Sequence, residues 1–101
     1  MFADDLEHAA ICQWNGIIYA AGWADGGVWF EYSEDGGTNA SPIPGVGIRA
    51  RICDADEQQP AIEVLTTSEL VVAVDRGGEV ATYYSADQGA TWQPAGDGGA
   101  G

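Results

Sequence analysis

The most regular arrangement of polar side chains in the sequence is Ser85-x-Asp87-x-Gly89-x-Thr91, followed directly by Trp92. A short aspartate in a turn can accept hydrogen bonds from backbone N–H groups ahead of it, replacing ladder bonds that the turn removes. Gly89 permits a positive φ. The hydroxyls of Ser85 and Thr91 can tie two strand ends together, and Trp92 can tuck its ring into the sheet edge. That chemistry closes a turn and moves no proton. Asp54, Asp56 and Glu57 offer oxygen ligands of the kind calcium takes, although a solvated loop is the plainer expectation for them. Cys12, Cys53 and the single histidine, His8, contain no CxxC and do not make a zinc set. A disulfide between the two cysteines and a pair of buried thiols both stand, with the thiols expected. No metal site and no cofactor is expected. Trp23 and Trp29 could stack on a sugar or a partner, with Arg76 as a further contact; filling the core is the simpler role for the two indoles.

The elements that must hold these residues come from a repeat. Tyr32-Ser33-Glu34-Asp35-Gly36-Gly37 precedes Tyr84-Ser85-Ala86-Asp87-Gln88-Gly89 by 52 positions, so Ser33, Asp35 and Gly37 form an earlier, degenerate copy of the motif. Asn39 stands there in place of threonine and Ala40 in place of tryptophan. Upstream, Ile17-Ile18-Tyr19-Ala20-Ala21 answers Leu70-Val71-Val72-Ala73-Val74, and Ala10-Ile11 answers Ala61-Ile62, with one single-residue shift between them. Apolar and β-branched runs are punctuated by Asn15-Gly16, Asp25-Gly26-Gly27 and Gly77-Gly78, which are hairpin signals. The pattern predicts strands near 9–14, 17–23, 28–33 and 40–52, then near 61–65, 69–75, 79–85 and 91–94. No segment carries a helical period. Runs such as Val28-Trp29-Phe30 do not alternate, which suits a sheet covered on both faces.

Composition narrows the partners. The 101 residues contain sixteen acids against three arginines and no lysine, for a formal charge of −13. Phosphate contacts need a basic footprint, so nucleic acid is excluded as a partner, and an anionic membrane surface equally so. Forty-six per cent hydrophobic residues and four tryptophans argue for a folded chain rather than a disordered one. A lysine-free acidic surface fits a protein that works in high salt; an acidic chain from a GC-rich genome fits equally. The first residues lack the basic segment and apolar run of a signal peptide, so an extracellular role implies another route, such as assembly into a virion.

The complete motif at 85–92 and its half-copy at 33–37 resemble the Asp-box, or bacterial neuraminidase repeat, of sialidase-like β-propellers. The resemblance covers nearly the whole chain. It implies an all-β fold of two four-stranded antiparallel propeller blades: a lead at 1–8, one blade at 9–52, a second at 53–94, and a flexible Gly/Ala tail at 95–101. In that family the Asp-box is a structural turn away from the catalytic face, so it implies no catalytic role for Asp35 or Asp87. The family's catalysis uses three arginines, a tyrosine–glutamate pair and an acid drawn from different blades. Here Arg49, Arg51, Arg76, Tyr83, Tyr84 and Glu63 supply the residue types but no recognisable context, and two blades cannot assemble that site. A non-enzymatic module is therefore expected.

Two blades would leave outer faces for partners, so closure of a six-bladed ring by a homotrimer is the expected assembly. Short Asp-box chains are similar to decoration, tail and attachment proteins of tailed viruses. With the composition, this implies a virion protein, with a haloarchaeal virus as the expected source. A lectin-like carbohydrate-binding propeller, or a piece of a glycoside hydrolase, is the alternative.

Overall fold

The computed structural model describes residues 6–43, 45–66, 69–76 and 78–94. The expected tail, and all but the last three residues of the expected lead, lie outside them. Among the described residues the chain is all β. Strands β1 (Glu7–Trp14), β2 (Ile17–Ala24), β3 (Gly27–Ser33) and β4 (Ala50–Asp54) form one antiparallel meander. Strands β5 (Ala61–Val64), β6 (Leu70–Arg76), β7 (Glu79–Ser85) and β8 (Gln93–Pro94) form a second.

The first two hairpins follow from their turn residues. Asn15 and Gly16 have φ of 54° and 82°, Asp25 and Gly26 of 50° and 74°. Two consecutive left-handed residues are what a two-residue type I′ turn needs. β1 begins two residues earlier than expected, with His8 (φ 53°) beside a shift in register between Glu7 and Ala10, a bulge.

The strand expected over 40–52 is confined to its end. Proline has no N–H for a ladder, and Gly45 and Gly47 take φ of 77° and 123°, so the segment after Ala40 becomes a loop. Ile43 bridges to Gly47 and is 1 % exposed, plugging the core rather than lining a sheet. β4 runs on to Asp54, so Cys53 and Asp54 belong to the first sheet. β8 is likewise shorter than the expected 91–94.

The two sheets pack face to face. Tyr19, Ala21, Val28, Phe30 and Tyr32 of the first meet Leu70, Val72, Val74 and Tyr83 of the second in one buried cluster. Tyr19, Phe30 and Tyr32 stack on each other at 6.2 to 6.3 Å between ring centres. Burying a ring such as that of Phe30 contributes about 1.5–3 kcal/mol.

Register defines which repeat positions are equivalent. Ile18 pairs with Ser33 and Leu70 with Ser85, so Ile18, not Ile17, is the counterpart of Leu70. Ile11 faces Ala20 and Ile62 faces Val72, which keeps Ile11 and Ile62 equivalent. The extra residue therefore lies in the loop before β6, and the expected pairing of Ile17 with Leu70 was one position out. In a strand such a slip exchanges the faces.

With the register corrected, the stacking has a direction. Ser33 lies on the first sheet's outer face, opposite to Tyr32, whereas Ser85 shares its face with Leu70 and points towards the first sheet. Equivalent faces of the two sheets thus point the same way. The second sheet is a displaced copy of the first, not its two-fold mate.

Candidate functional site

Each Ser-x-Asp-x-Gly turn is a closed hydrogen-bond set. Ser85 Oγ donates to Asp87 Oδ1 at 2.8 Å and accepts from the Gly89 N–H at 2.8 Å. The Thr91 N–H donates to Asp87 Oδ1 at 2.9 Å, and Thr91 Oγ1 donates to Asp87 Oδ2 at 2.6 Å. In the earlier turn Ser33 Oγ donates to Asp35 Oδ1 at 2.7 Å and the Gly37 N–H donates to Ser33 Oγ at 3.0 Å. The Asn39 N–H and Nδ2 reach the two Asp35 oxygens at 3.0 and 3.4 Å, so asparagine reproduces both bonds of the threonine. The Thr91 hydroxyl and N–H hold Asp87 below the usual carboxylate range, and the Asn39 N–H and Ser33 hydroxyl do the same for Asp35. Two left-handed residues close each turn, Gly36–Gly37 and Gln88–Gly89.

The second turn also makes a contact between the sheets. Trp92 donates from Nε1 to the Gly89 carbonyl at 2.8 Å and sets its ring 5.4 Å from that of Phe30. The ring therefore sits on the neighbouring sheet rather than at its own sheet edge.

Trp23 and Trp29 fall on opposite faces of the first sheet, because Trp23 pairs with Val28 and Trp29 with Gly22. They form no common surface. On the outer face Trp29 donates from Nε1 to the Ala24 carbonyl at 2.7 Å, and two guanidinium groups lie over its ring, Arg51 at 5.3 Å and Arg49 at 5.9 Å. Arg49 Nε donates to Glu31 Oε2 at 2.6 Å, and Arg51 pairs with Asp54. Glu31 is 2 % exposed, so Arg49 supplies the charge that a buried carboxylate requires. The two arginines were not expected to join Trp29. The signal for it was the i, i+2 spacing of Arg49 and Arg51 across the start of β4.

Trp23 lines a cleft of about 720 Å³ at the turn end of the two sheets, with Gly26, Asp54, Asp56, Glu57, Gln58 and Asp75 around it. Its Nε1 donates to the Ala55 carbonyl at 2.8 Å. Gln58 clamps the linker to β6 through two 2.6 Å bonds to the Asp75 backbone. Asp54, Asp56 and Glu57 do not act as one cation-binding group, since Arg51 takes Asp54 and His8 meets Glu57 at 2.9 Å. The hydrogen bond from His8 lowers the Glu57 carboxyl. Among the described residues, Glu7, His8 and Glu57 are the one metal-capable trio, and all three are exposed. β6 pairs Arg76 with Glu79; the Arg76 side chain lies outside what the structure describes.

Cys12 and Cys53 are not bridged. They lie on β1 and β4, the two edges of a four-stranded sheet, roughly 14 Å apart sideways across three strand spacings and offset further along the strands, Cys12 in line with Tyr32 and Cys53 with Val28, far beyond disulfide reach.

No family model matches the chain, and no curated protein or solved structure matches it either.

Proposed function

We propose that this chain is a non-enzymatic assembly and attachment module, two Asp-box blades that complete a propeller by association, within a tailed-virus particle. The observation that carries the reading is the same-sense stacking of two equivalent sheets. A unit that presents to its successor the face its predecessor presented to it calls for a further interface at each end. The motif resemblance and the lysine-free acidic composition support the virion setting. Against catalysis stand the held groups: Asp35 and Asp87 bond within their turns, and Arg49 and Arg51 bond to Glu31, Asp54 and Trp29. The test is molar mass by light scattering, in low and in concentrated salt. A species near three times the 10.5 kDa chain that strengthens in salt is expected; a monomer under both conditions refutes the reading.

A second reading, carbohydrate binding, is favoured by the cleft at Trp23. An indole wall beside carboxylates and an amide provides both a stacking surface and acceptors for sugar hydroxyls.

A further inference from the structure

Among the described residues, the two most exposed large hydrophobic side chains lie one on each outer face. Ile11, 59 % exposed, shares a row with Ala20 and Glu31 on the first sheet, and Val80, 60 % exposed, faces Asp75 on the second. Repeat equivalence says what the second sheet's outer face is for. Its residues Val71, Ala73, Val80 and Tyr84 occupy the positions of Tyr19, Ala21, Val28 and Tyr32 in the first sheet. Those four are at most 6 % exposed because the next sheet covers them. The copies on the second sheet are half-buried, or open in the case of Val80.

Charge selects the occupant. In a chain of net charge −13, two of the three cationic residues, Arg49 and Arg51, flank Trp29 on the first sheet's outer face. The second sheet's outer face carries Glu63 in the row of Val71 and Tyr84, Asp75 opposite Val80, and Glu69 on the Tyr84 hydroxyl at 2.6 Å. Two copies meeting by their second-sheet faces would set acid on acid, and by their first-sheet faces arginine on arginine. A head-to-tail meeting sets those acids against Arg49 and Arg51, whose forks offer further donors.

We infer that the outer face of the second sheet, at Val71, Ala73, Val80 and Tyr84, docks on the outer face of the first sheet of another copy, at Ile11, Trp29, Arg49 and Arg51. The contact is heterologous and joins faces equivalent to those that meet inside one chain, with Trp29 and Leu6 already covering Ala20 and Ala24 on the receiving side. It rests on the assembly reading above and specifies its surfaces.

The experiment mixes two variants of the full chain, Ile11→Asp and Val80→Asp, each blocked at one face only. Light scattering is run in roughly 1 M salt, where the Debye length is about 3 Å and overall repulsion is screened. The wild type is expected as a multi-copy ring, each variant alone as a monomer, and the equimolar mixture as a one-to-one dimer through the remaining pair of intact faces. Both sites are solvent-exposed, so circular dichroism should match the wild type; should either aspartate variant unfold, Ile11→Ser and Val80→Ser serve the same comparison. A wild-type oligomer untouched by either substitution overturns the docking faces and leaves the assembly reading standing. So does a dimer lost with Val80→Asp but kept with Ile11→Asp, which marks a two-fold contact. A wild type that stays monomeric overturns both.

Discussion

Gly89 of the second sheet lies against the ring of Phe30 in the first, so closely that a Cβ on Gly89 would collide with the ring edge. Gly37, its counterpart, has an equal need for a left-handed backbone, at φ 96° against 90°, but meets only the tip of Ile18 at 3.4 Å. The two glycines therefore separate backbone strain from packing. Gly37→Ala is expected to cost about 1 kcal/mol, the left-handed penalty alone. Gly89→Ala must also displace a buried ring and is expected to cost about 3 kcal/mol or more. Urea denaturation of the two variants measures the difference; equal losses would mean that Phe30 yields freely.

The turn carboxylates give the fold an acid limit. Asp35 and Asp87 are held below the ordinary value of about 3.9 by hydrogen bonds that exist only in the folded chain. A depressed folded pKa contributes stability that is complete above the unfolded value and is lost as pH falls through the folded one. Melting temperature should therefore stay level near neutrality and fall below about pH 4. Asp87→Asn should lower the plateau and flatten the acid slope. A variant that keeps the full acid slope would assign it to other carboxylates.

The parts of this fold that were legible in the sequence were those with local causes. Asn15-Gly16 and Asp25-Gly26 fixed two hairpins, and the spacing of Ser, Asp and Gly fixed both turns, because each depends on backbone preferences of adjacent residues. Packing was less visible. The position of Trp92 on Phe30 depends on how the sheets stack, which no local pattern encodes. The apolar residues of 40–49 read as a strand although Pro42 and the left-handed Gly45 and Gly47 break the ladder there. The one-residue error between Ile17 and Leu70 arose because both hairpin strands are apolar throughout, so no alternation marked the face. The pairing of Arg49 and Arg51 over Trp29 was written in their spacing, but its meaning depended on β4 lying beside β3.

The two ion pairs at Trp29 should differ in their effect on stability. Arg49 compensates a carboxylate that is 2 % exposed, and its removal by Arg49→Met is expected to cost about 2–3 kcal/mol. Arg51 and Asp54 are 43 % and 80 % exposed at the side chain, so Arg51→Met should cost under about 1 kcal/mol. Adding Glu31→Gln to Arg49→Met should recover part of the loss, since it removes the buried charge. Equal costs for the two arginines would show that stacking on Trp29, not charge, is the shared contribution.

The cysteines should behave as thiols under non-reducing conditions. Alkylation after unfolding is expected to add two groups per chain, by mass spectrometry, and reductant should leave the melting temperature unchanged. In the folded protein Cys12 should react slowly, because burial raises its thiol pKa and leaves little thiolate near neutral pH. A mass two protons lighter before alkylation would contradict the edge-to-edge placement of β1 and β4.

The cleft at Trp23 makes a charge-specific prediction for carbohydrate binding. Asp56, Glu57 and Asp75 surround the indole, with Arg51 paired to Asp54 and His8 to Glu57. Sugars bearing a carboxylate would meet like charge in a recess, where screening is weaker than on open surface. Neutral sugars, and amino sugars above all, are therefore the ligands expected, with quenching or blue shift of tryptophan emission as the readout. Trp23→Ala should weaken such binding tenfold or more by removing the stacking wall. Trp29→Ala should leave it unchanged, because that indole faces the opposite side of the sheet beneath two guanidinium groups. Preferential binding of a sialylated sugar would reject the Trp23 cleft and direct attention to Arg49 and Arg51.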